Sequence, residues 1–510
     1  MAEPNDLFGD YRLVVDGFLR EDQCQELVDF AALQEDKNGF RTISILEAIK
    51  KINESHDQEI TLRLFLRSSS IAKHFMQRYL NHNLYHHTTR IICKDKWDGN
   101  CFMTETGKCS NESLPQGTFH AITYLTDIEK DAGSFFPKPD EIIIRPKCGR
   151  MVTYKSSDPV GVKPFSDPDI QRCVLLNVFD NTPSQDEINH IDASLLLKKI
   201  DQQRVKVNSN DRKKVLKTLK EQGVEVTMTS KDLRGKERFV ADGLASDEEC
   251  EALIELANVG SVRGDGYKHQ QGTVSLISPH TKHEMFQGLT VARAAKLAKE
   301  KVIGPDSVDL YLKLAEKGRL MVEKYLNLTR PLYFDFTHLV CRTAVDDEAV
   351  DRKDLSHPIH ADNCLLQPDG TCLKEVPAYI QRDYSGIIYL NQEFDGGEFI
   401  FAYPNKSEQT SVKPKCGRLV GFNAADLHGV KAVLKGQRCC LAMWYTQDPN
   451  FKELAHNQAQ KVLKVVHAEV EAEENDEKDN ESQTSKEEGR TETSSKDTKS
   501  EDILGHSDEL

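Results

Sequence analysis

The feature that most constrains the fold of this chain is a repeat marked by its cysteines. Of thirteen cysteines in 510 residues, twelve recur in the same order in the two halves, and Cys440 is left over. The flanking residues recur as well: RPKCGRMV around Cys148 matches KPKCGRLV around Cys416, and NCFMTETGKC matches NCLLQPDGTC with identical internal spacing. Such self-similarity indicates a duplicated structural unit. We therefore predict two copies of one domain, at residues 9–182 and 232–467.

Two charged segments lie outside these copies. Residues 183–231 are rich in Lys and in strong helix formers, which predicts a helical linker with a solvated basic face rather than a nucleic-acid site. Residues 468–510 carry 16 acidic and 5 basic residues, which accounts for most of the net charge of -15. A segment with so few large apolar residues cannot bury enough surface to order itself, so we predict a disordered acidic tail.

Within each copy, a helical first part precedes short β-rich runs. GIIYLNQEFDGGEFIFAY predicts a strand, an Asp-Gly-Gly hairpin turn and a second strand, and CCLAMWYT predicts a further strand. Short strands behind a helical layer favour a jelly roll. The predicted fold class is α+β, with two tandem double-stranded β-helix (jelly-roll) domains with helical layers, a helical linker and a disordered tail. No apolar run is long enough to cross a membrane.

Three polar residues of the second copy form a candidate metal site. His360 and Asp362 are two positions apart, which on a strand places both side chains on one face. His428, on a different predicted strand, is the natural third ligand. Two histidines and one carboxylate make a facial triad that binds Fe(II) and leaves coordination positions open, although zinc hydrolases use similar ligands. His357, three residues before His360, is expected to face the other way and to be a packing or substrate-side residue.

A candidate anion site lies ten residues after His428. Arg438 begins an otherwise apolar strand, and its forked guanidinium suits a carboxylate. The cosubstrate 2-oxoglutarate needs such a buried cation for its far carboxylate while its keto acid end chelates iron. Tyr389 is expected to donate a further hydrogen bond to the same carboxylate.

The first copy lacks all three predicted metal ligands. Alignment of the repeated motifs places Trp97, Gly99 and Val160 where the second copy has its ligands, while Arg172 and Tyr124 match Arg438 and Tyr389. Because Trp, Gly and Val side chains cannot bind iron, we predict a metal-free, non-catalytic first domain whose retained pair is a packing relic or a residual anion pocket.

The candidate metal and anion residues of the second copy lie within or beside the motifs DLSHPIHADNC, RDYSGIIYLN, FDGGEFIF and HGVKAVLKGQRCCLAMWYT. Over residues 223–465 the sequence resembles the catalytic region of the prolyl 3-hydroxylase (leprecan) family. The resemblance implies Fe(II), 2-oxoglutarate, oxygen and ascorbate as cofactors, and a collagen-type peptidyl proline as substrate. It also implies His360, Asp362 and His428 as iron ligands.

Two departures from the family leave alternatives open. Vertebrate members carry a tetratricopeptide-type helical region where this chain has a degenerate copy. This difference weakens the expectation, which the resemblance implies, of assembly with endoplasmic reticulum chaperone partners. A live and a dead copy in tandem also resemble the ribosomal prolyl 3-hydroxylases, which suits a cytosolic or nuclear location. A third hypothesis is a non-catalytic double jelly-roll scaffold or chaperone.

The compartment follows from the end of the chain. The terminal Ser-Asp-Glu-Leu is a variant of the endoplasmic reticulum retrieval signal, which predicts the lumen, whereas no secretory signal is visible at the N-terminus and the cytosol is the alternative. In the lumen, the disulfide candidates are Cys101–Cys109 and Cys364–Cys372, and the sequons at Asn53, Asn111, Asn327 and Asn405 become glycosylation candidates. Tyr384 and Trp444 are candidate aromatic walls for the substrate.

Overall fold

The structure is a computed structural model. It describes residues 12–34, 40–54, 58–94, 119–128, 134–136, 142–155, 161–162, 172–261, 278–345, 352, 354–367, 369–375, 377–470 and 472. Nearly all of the predicted disordered tail, including its terminal retrieval motif, lies outside the described residues.

The first half contains helices packed on one face of a six-stranded antiparallel sheet. Its helices are α1 (Glu21–Ala32), α2 (Ile45–Glu54) and α3 (Glu59–Leu80). Its strands are β1 (Leu13–Val15), β2 (Phe40–Ser44), β3 (Tyr85–Lys94), β4 (Phe119–Tyr124), β5 (Ser134–Phe136), β6 (Ile142–Ile144), β7 (Met151–Lys155), β8 (Gly161–Val162) and β9 (Arg172–Asp180). The large sheet has the order β1-β7-β4-β9-β3-β2, and a small one has the order β6-β5-β8.

A 37-residue helix, α4 (Gln185–Glu221), leads into the second half. There the helices are α5 (Asp247–Ser261), α6 (Val291–Lys299), α7 (Pro305–Tyr325) and α8 (residues 455–470). The strands are β10 (Glu225–Met228), β11 (Arg238–Asp242), β12 (Glu284–Thr290), β13 (Tyr333–Ala344), β14 (Leu355–His360), β15 (Leu365–Leu366), β16 (Cys372–Leu373), β17 (Tyr384–Tyr389), β18 (Asp395–Gly396), β19 (Phe399–Ala402), β20 (Glu408–Val412), β21 (Arg418–Asn423), β22 (His428–Lys431), β23 (Val433–Lys435) and β24 (Gln437–Thr446). No helix among the described residues is both long and apolar enough to cross a membrane.

The two halves share one strand order. The major sheet of the second half has the order β10-β11-β21-β17-β24-β13-β12, so from β11 onwards each strand has a counterpart in the sheet of the first half. Its minor sheet, β14-β22-β19-β20, has β19 between β20 and β22, as β5 lies between β6 and β8. Strand β10 falls within the segment expected to be a linker, but it pairs with β11 and so extends the second sheet.

The major sheet of the second half separates two apolar layers. Side chains alternate along β17, so Ile388 joins the large core beneath α7, whereas Ile387 and Tyr389 face the minor sheet. The close approach of α7 depends on Gly318, where a Cβ atom would lie 2.9 Å from Met443. Tyr384, expected to be a substrate wall, belongs to the helix-side core and donates its hydroxyl to Glu237 at 2.9 Å. That expectation is wrong because the strand period places Tyr384 on the face opposite the candidate site.

The prediction of a hairpin around Asp395 is also wrong. Strand β17 pairs with β21 and β24 of the major sheet, whereas β19 pairs with β20 and β22 of the minor sheet. The connection crosses from one sheet to the other, and Gly396 and Gly397 take positive φ angles of 78° and 70° there. A Cβ atom on Gly397 would lie 2.8 Å from the Phe394 ring and 3.2 Å from Arg438. Glycine therefore allows the crossover to pass close to Arg438.

Five disulfides join the described cysteines. Cys364–Cys372 was predicted, whereas Cys101 and Cys109 lie outside the described residues. The other four form two equivalent pairs that sequence reasoning did not find: Cys24–Cys148 and Cys250–Cys416, then Cys93–Cys173 and Cys341–Cys439. Each equivalent pair joins the same two positions of the repeat, and such bonds are typical of oxidising compartments.

Direct contacts join the two halves. Arg67 of α3 donates to the Asn450 carbonyl at 2.7 Å and covers the Phe451 ring. Lys461 of α8 lies 3.2 Å from the buried carboxylate of Glu26, and Leu454 belongs to the hydrophobic core of the first half. The first half therefore packs against the C-terminal segment of the second.

We predict that alkylation of the denatured, unreduced protein labels Cys440 and none of the ten other described cysteines, because Cys440 alone among them is free. Peptide mass spectrometry after iodoacetamide treatment measures this, and prior reduction provides the positive control. Labelling of Cys341 or Cys439 without reductant would contradict the disulfide assignment.

Candidate active site

The two candidate histidine ligands are brought together by strand pairing. His360 at the end of β14 is the register partner of His428 at the start of β22. The His360 Nδ1 donates to the Pro358 carbonyl at 2.8 Å, and the His428 Nδ1 donates to the Asp426 carbonyl at 2.9 Å. Because each Nδ1 carries the proton, both Nε2 atoms have free lone pairs, which is the tautomer that metal binding needs.

Asp362 lies just beyond β14 and faces both rings. Its Oδ1 is 3.4 Å from His360 Nε2, and its Oδ2 is 3.7 Å from His428 Nε2. Its backbone N–H donates to the Ala424 carbonyl at 2.8 Å, and Ser385 donates its hydroxyl to Oδ2 at 2.6 Å. These bonds fix the carboxylate, and one ligand atom from each of the three residues lies within 4.8 Å of the others.

The charges of the three residues suit a cation. Burial opposes ionisation of Asp362, but His428, His360 and the Ser385 hydroxyl together lower its pKa below the usual range. Burial lowers the pKa of His428 to about 4 despite the nearby carboxylate. Burial also disfavours protonation of His360, yet Asp362 raises its pKa overall. The donor set of two imidazoles and one carboxylate is the one that non-haem Fe(II) sites use, so the residues fit the expected metal.

Arg438 has the properties of an anion anchor. It faces the space between the two sheets and is 5% exposed. Its Nη2 donates weakly to the Ser356 hydroxyl at 3.5 Å, whereas its buried Nε and Nη1 have no hydrogen-bond partner among the described residues. A buried guanidinium with unused donors is costly, and a ligand carboxylate would satisfy both atoms. The residue therefore fits the far carboxylate of 2-oxoglutarate.

Tyr389 lies beside this guanidinium. It pairs with Cys440 across the sheet, and Arg438 is two positions from Cys440 on the same face. Burial raises the pKa of Tyr389 and the positive charge of Arg438 partly opposes this, so the phenol keeps its proton. Tyr389 is thus able to donate to an anion held by Arg438.

Sequence reasoning missed Arg342, a second guanidinium beside Arg438. Arg342 is the register partner of Arg438, is 4% exposed and donates to the Ser278 hydroxyl. Side chains of directly opposed residues share one face, so the two positive charges lie together. A signal was present in the repeat, since Arg342 follows Cys341 as Lys94 follows Cys93.

His357 does not face away from the metal ligands as expected. The register of β14 shifts on both sides of His357, which breaks the alternation of side chains. As a result its ring lies 4.2 Å from that of His360, centroid to centroid. The expectation failed because it assumed a regular strand.

Aromatic and guanidinium surfaces border the metal ligands. Trp444 is the register partner of Ser385, which bonds Asp362, so Trp444 lies on the site face as expected. The Arg382 guanidinium lies 4.8 Å from the Trp444 ring and 4.0 Å from the exposed Tyr379 ring. Asp335 accepts from Arg382 at 2.8 Å, which neutralises its charge.

Residues 355–446 match the 2OG-Fe(II) oxygenase superfamily. Prolyl 3-hydroxylase 1 of Homo sapiens is 47% identical and that of Rattus norvegicus 46% identical over 249 residues, which are 48% of this chain and 33% of each relative. Prolyl 3-hydroxylase 2 of Gallus gallus is 45% identical over 247 residues, 48% of this chain and 35% of the relative.

The resemblance to the prolyl 3-hydroxylase (leprecan) family is confirmed. The chain matches about a third of the length of these curated relatives. Among solved structures, the viral collagen prolyl hydroxylase from Paramecium Bursaria Chlorella virus-1 aligns with 42% of this chain and 97% of its own at 18% identity, with an uninformative TM-score of 0.26.

The first half retains the counterpart of the anion anchor. Arg172 is 7% exposed, and its guanidinium lies 5.8 Å from the ring of the buried Tyr124. Trp97, Gly99 and Val160, which replace the metal ligands in the repeat, lie outside the described residues. The Arg172–Tyr124 pair therefore provides a matched control for Arg438 and Tyr389 of the second half.

We predict that Arg438→Gln weakens 2-oxoglutarate binding by about tenfold to a hundredfold, because charge-assisted hydrogen bonds contribute about 1.5–3 kcal/mol. Anaerobic calorimetric titration of the Mn(II)-loaded protein with 2-oxoglutarate measures the dissociation constant. Arg172→Gln, the equivalent change in the first half, should leave it unchanged. Equal losses in both variants, or no loss in Arg438→Gln, would contradict the assignment of Arg438.

Proposed function

We propose that this protein is a peptidyl-proline 3-hydroxylase of the procollagen type that uses Fe(II), 2-oxoglutarate and oxygen, with ascorbate as a reductant. The observation that carries the proposal is the combination of His360, Asp362 and His428 with the unsatisfied, buried guanidinium of Arg438. A scaffold would have no need of four polar groups whose hydrogen-bonding capacity is left open within one cavity. The 2OG-Fe(II) oxygenase match supports the same reaction class.

In the proposed reaction the triad holds Fe(II), and Arg438 with Tyr389 binds the far carboxylate of 2-oxoglutarate. With molecular oxygen as the oxidant, bound Fe(II) and 2-oxoglutarate would supply the chemistry that hydroxylates the proline: one oxygen atom would enter the C–H bond and the other would enter succinate as 2-oxoglutarate loses carbon dioxide. Ser385 holds Asp362 in position through its hydroxyl, and the two backbone carbonyls hold the histidines in the metal-binding tautomer. The protein thus supplies orientation and a water-poor cavity.

The proposed substrate is a proline of a collagen-type chain. Relatives that bear the name prolyl 3-hydroxylase support the choice of peptidyl proline. The surface formed by Trp444, Arg382 and Tyr379 is suited to a neutral, proline-rich segment, because Asp335 cancels the charge of Arg382 and flat faces accept pyrrolidine rings. We also propose that the protein associates with chaperone partners in the endoplasmic reticulum.

The proposed compartment is the lumen of the endoplasmic reticulum. The disulfides among the described cysteines support it, since disulfides are rare in the cytosol. A cytosolic ribosomal-protein hydroxylase would keep these thiols reduced.

The domain organisation completes the proposal: a degenerate jelly-roll domain at residues 9–182, a linker at 183–231, a catalytic domain at 232–467 and a disordered acidic tail at 468–510. The common strand order and the equivalent disulfides of the two halves support a duplication. The first domain then has a structural role, because it packs on the C-terminal segment of the catalytic domain.

Incubation of the purified protein with Fe(II), 2-oxoglutarate and ascorbate should add one oxygen atom to C3 of a proline in a collagen repeat peptide. Fragmentation mass spectrometry locates the oxygen, and succinate formation is measured in parallel. His360→Ala should abolish both products because it removes a metal ligand, whereas Arg172→Gln should retain both. Oxygen added only to a ribosomal-protein loop would favour the cytosolic alternative, and no product from either peptide would favour the scaffold.

We predict N-linked glycans at Asn327 and Asn405 in protein made by animal cells. Both side chains are exposed, and Asn405 lies in a turn where its Oδ1 accepts from the Ser407 N–H at 3.0 Å and hydroxyl at 2.6 Å, so a glycan would meet no packed neighbour. Endoglycosidase H treatment followed by peptide mass spectrometry measures occupancy, with Asn327→Gln and Asn405→Gln as controls. Unmodified asparagine at both positions would argue for the cytosol.

A further inference from the structure

The three candidate metal ligands differ in how firmly the protein encloses them. The side chains of Asp362 and His428 are 4% and 5% exposed, whereas that of His360 is 32% exposed. His428 packs against the rings of Phe399 and Phe422 at centroid distances of 5.4 and 4.7 Å. Among the described residues, no phenylalanine ring encloses His360 in this way, so its orientation requires a different support.

A row of imidazole rings supplies contacts on the exposed side. The ring of His357 lies 4.2 Å from that of His360, and the ring of the exposed His280 lies 4.3 Å from that of His357. The row therefore runs from the surface at His280 through His357 to the candidate metal ligand. The irregular register of β14 is what turns His357 towards His360.

One carbonyl orients two of these rings. The Pro358 carbonyl accepts from His360 Nδ1 at 2.8 Å and lies 3.3 Å from His357 Nδ1. The same local geometry thus sets the tautomer of His360 and places His357 beside it.

Hydrogen bonds fix the turn that carries His280, the outer residue of the row. The His280 N–H donates to the Ser278 hydroxyl at 3.2 Å, and the Ser278 N–H donates to the Glu284 carbonyl at 2.8 Å. The next residue, Thr281, donates its hydroxyl to Asp354, one residue before β14, at 2.5 Å. His280 is therefore tied to both β12 and the start of β14, which makes it a firm backing for His357.

We propose that His357, backed by His280, is a positioning residue that holds the imidazole of His360 in the orientation that metal binding requires. Neither residue is a metal ligand in this assignment. The packed rings restrict the rotamers open to the partly exposed His360, so less side-chain freedom is lost when the metal binds. This inference rests on the proposed metal site and is independent of the proposed substrate.

The test is anaerobic titration with Co(II), which replaces Fe(II) and reports its ligand geometry through visible absorption. Affinity is obtained by competition with a chelator. His357→Ala should weaken Co(II) binding by about tenfold, the lower end of the range for residues that support metal ligands, and should alter the absorption bands. His280→Ala should have a smaller effect of the same sign, and His357→Phe should restore affinity to within about threefold because it keeps a stacking ring.

His74→Ala is the matched control, since His74 is an exposed histidine on α3 of the first half, and it should bind Co(II) like the unmodified protein. Unchanged affinity and spectrum in His357→Ala would overturn the proposal. A His357→Phe variant as weak as His357→Ala would also overturn it, because a ring nitrogen rather than stacking would then be responsible. If the unmodified protein binds no Co(II), the metal site itself fails; if it binds Co(II) but hydroxylates no proline, only the proposed substrate fails.

Discussion

The candidate site depends above all on the antiparallel pairing of β14 with β22. This pairing places His360 opposite His428, residues that are far apart in the chain, and leaves Asp362 just beyond the strand end to face both rings. The two carbonyls that accept from the histidine Nδ1 atoms lie two residues before each ligand. A shift of one residue in this register would separate the two rings and reverse the faces of their side chains.

The second requirement is that charged groups remain buried between the sheets. Arg438 and Arg342 lie together at one end, and Asp362 lies at the metal end beside Ser385. Burial of an incompletely paired charge is costly, so the fold retains an arrangement that a negatively charged ligand and a cation would relieve. The site is therefore organised before either group binds, and the large helix-side core beneath α7 supports that organisation.

Comparison of the two halves separates support from chemistry. Both halves have the same strand order and the same two disulfide positions, so these features belong to the common scaffold. The Arg-Tyr pair also recurs, but only in the second half do we assign it a role in anion binding. The repeat and the residue types predicted the three candidate ligands, Arg438, Tyr389 and the Cys364–Cys372 bond; the structure brings the candidate ligands together and contains that bond. Other features were not predictable, since each depends on which strands pair and in what register. They are the four longer disulfides, the sheet crossover at Gly396, the sheet face on which Tyr384 lies and the position of His357.

By itself, the sequence predicted two related domains, of which only the second was expected to carry a complete set of metal-binding residues, and it identified those candidate residues, because residue types and their spacing are local properties. Only the tertiary structure decided that two donors of Arg438 have no partner among the described residues, that Arg342 lies beside it, and that the His360 ring packs on His357 and, beyond it, His280. These properties arise from distances between strands that are remote along the chain. A bulge or a crossover changes such distances without leaving a periodic signal in the sequence.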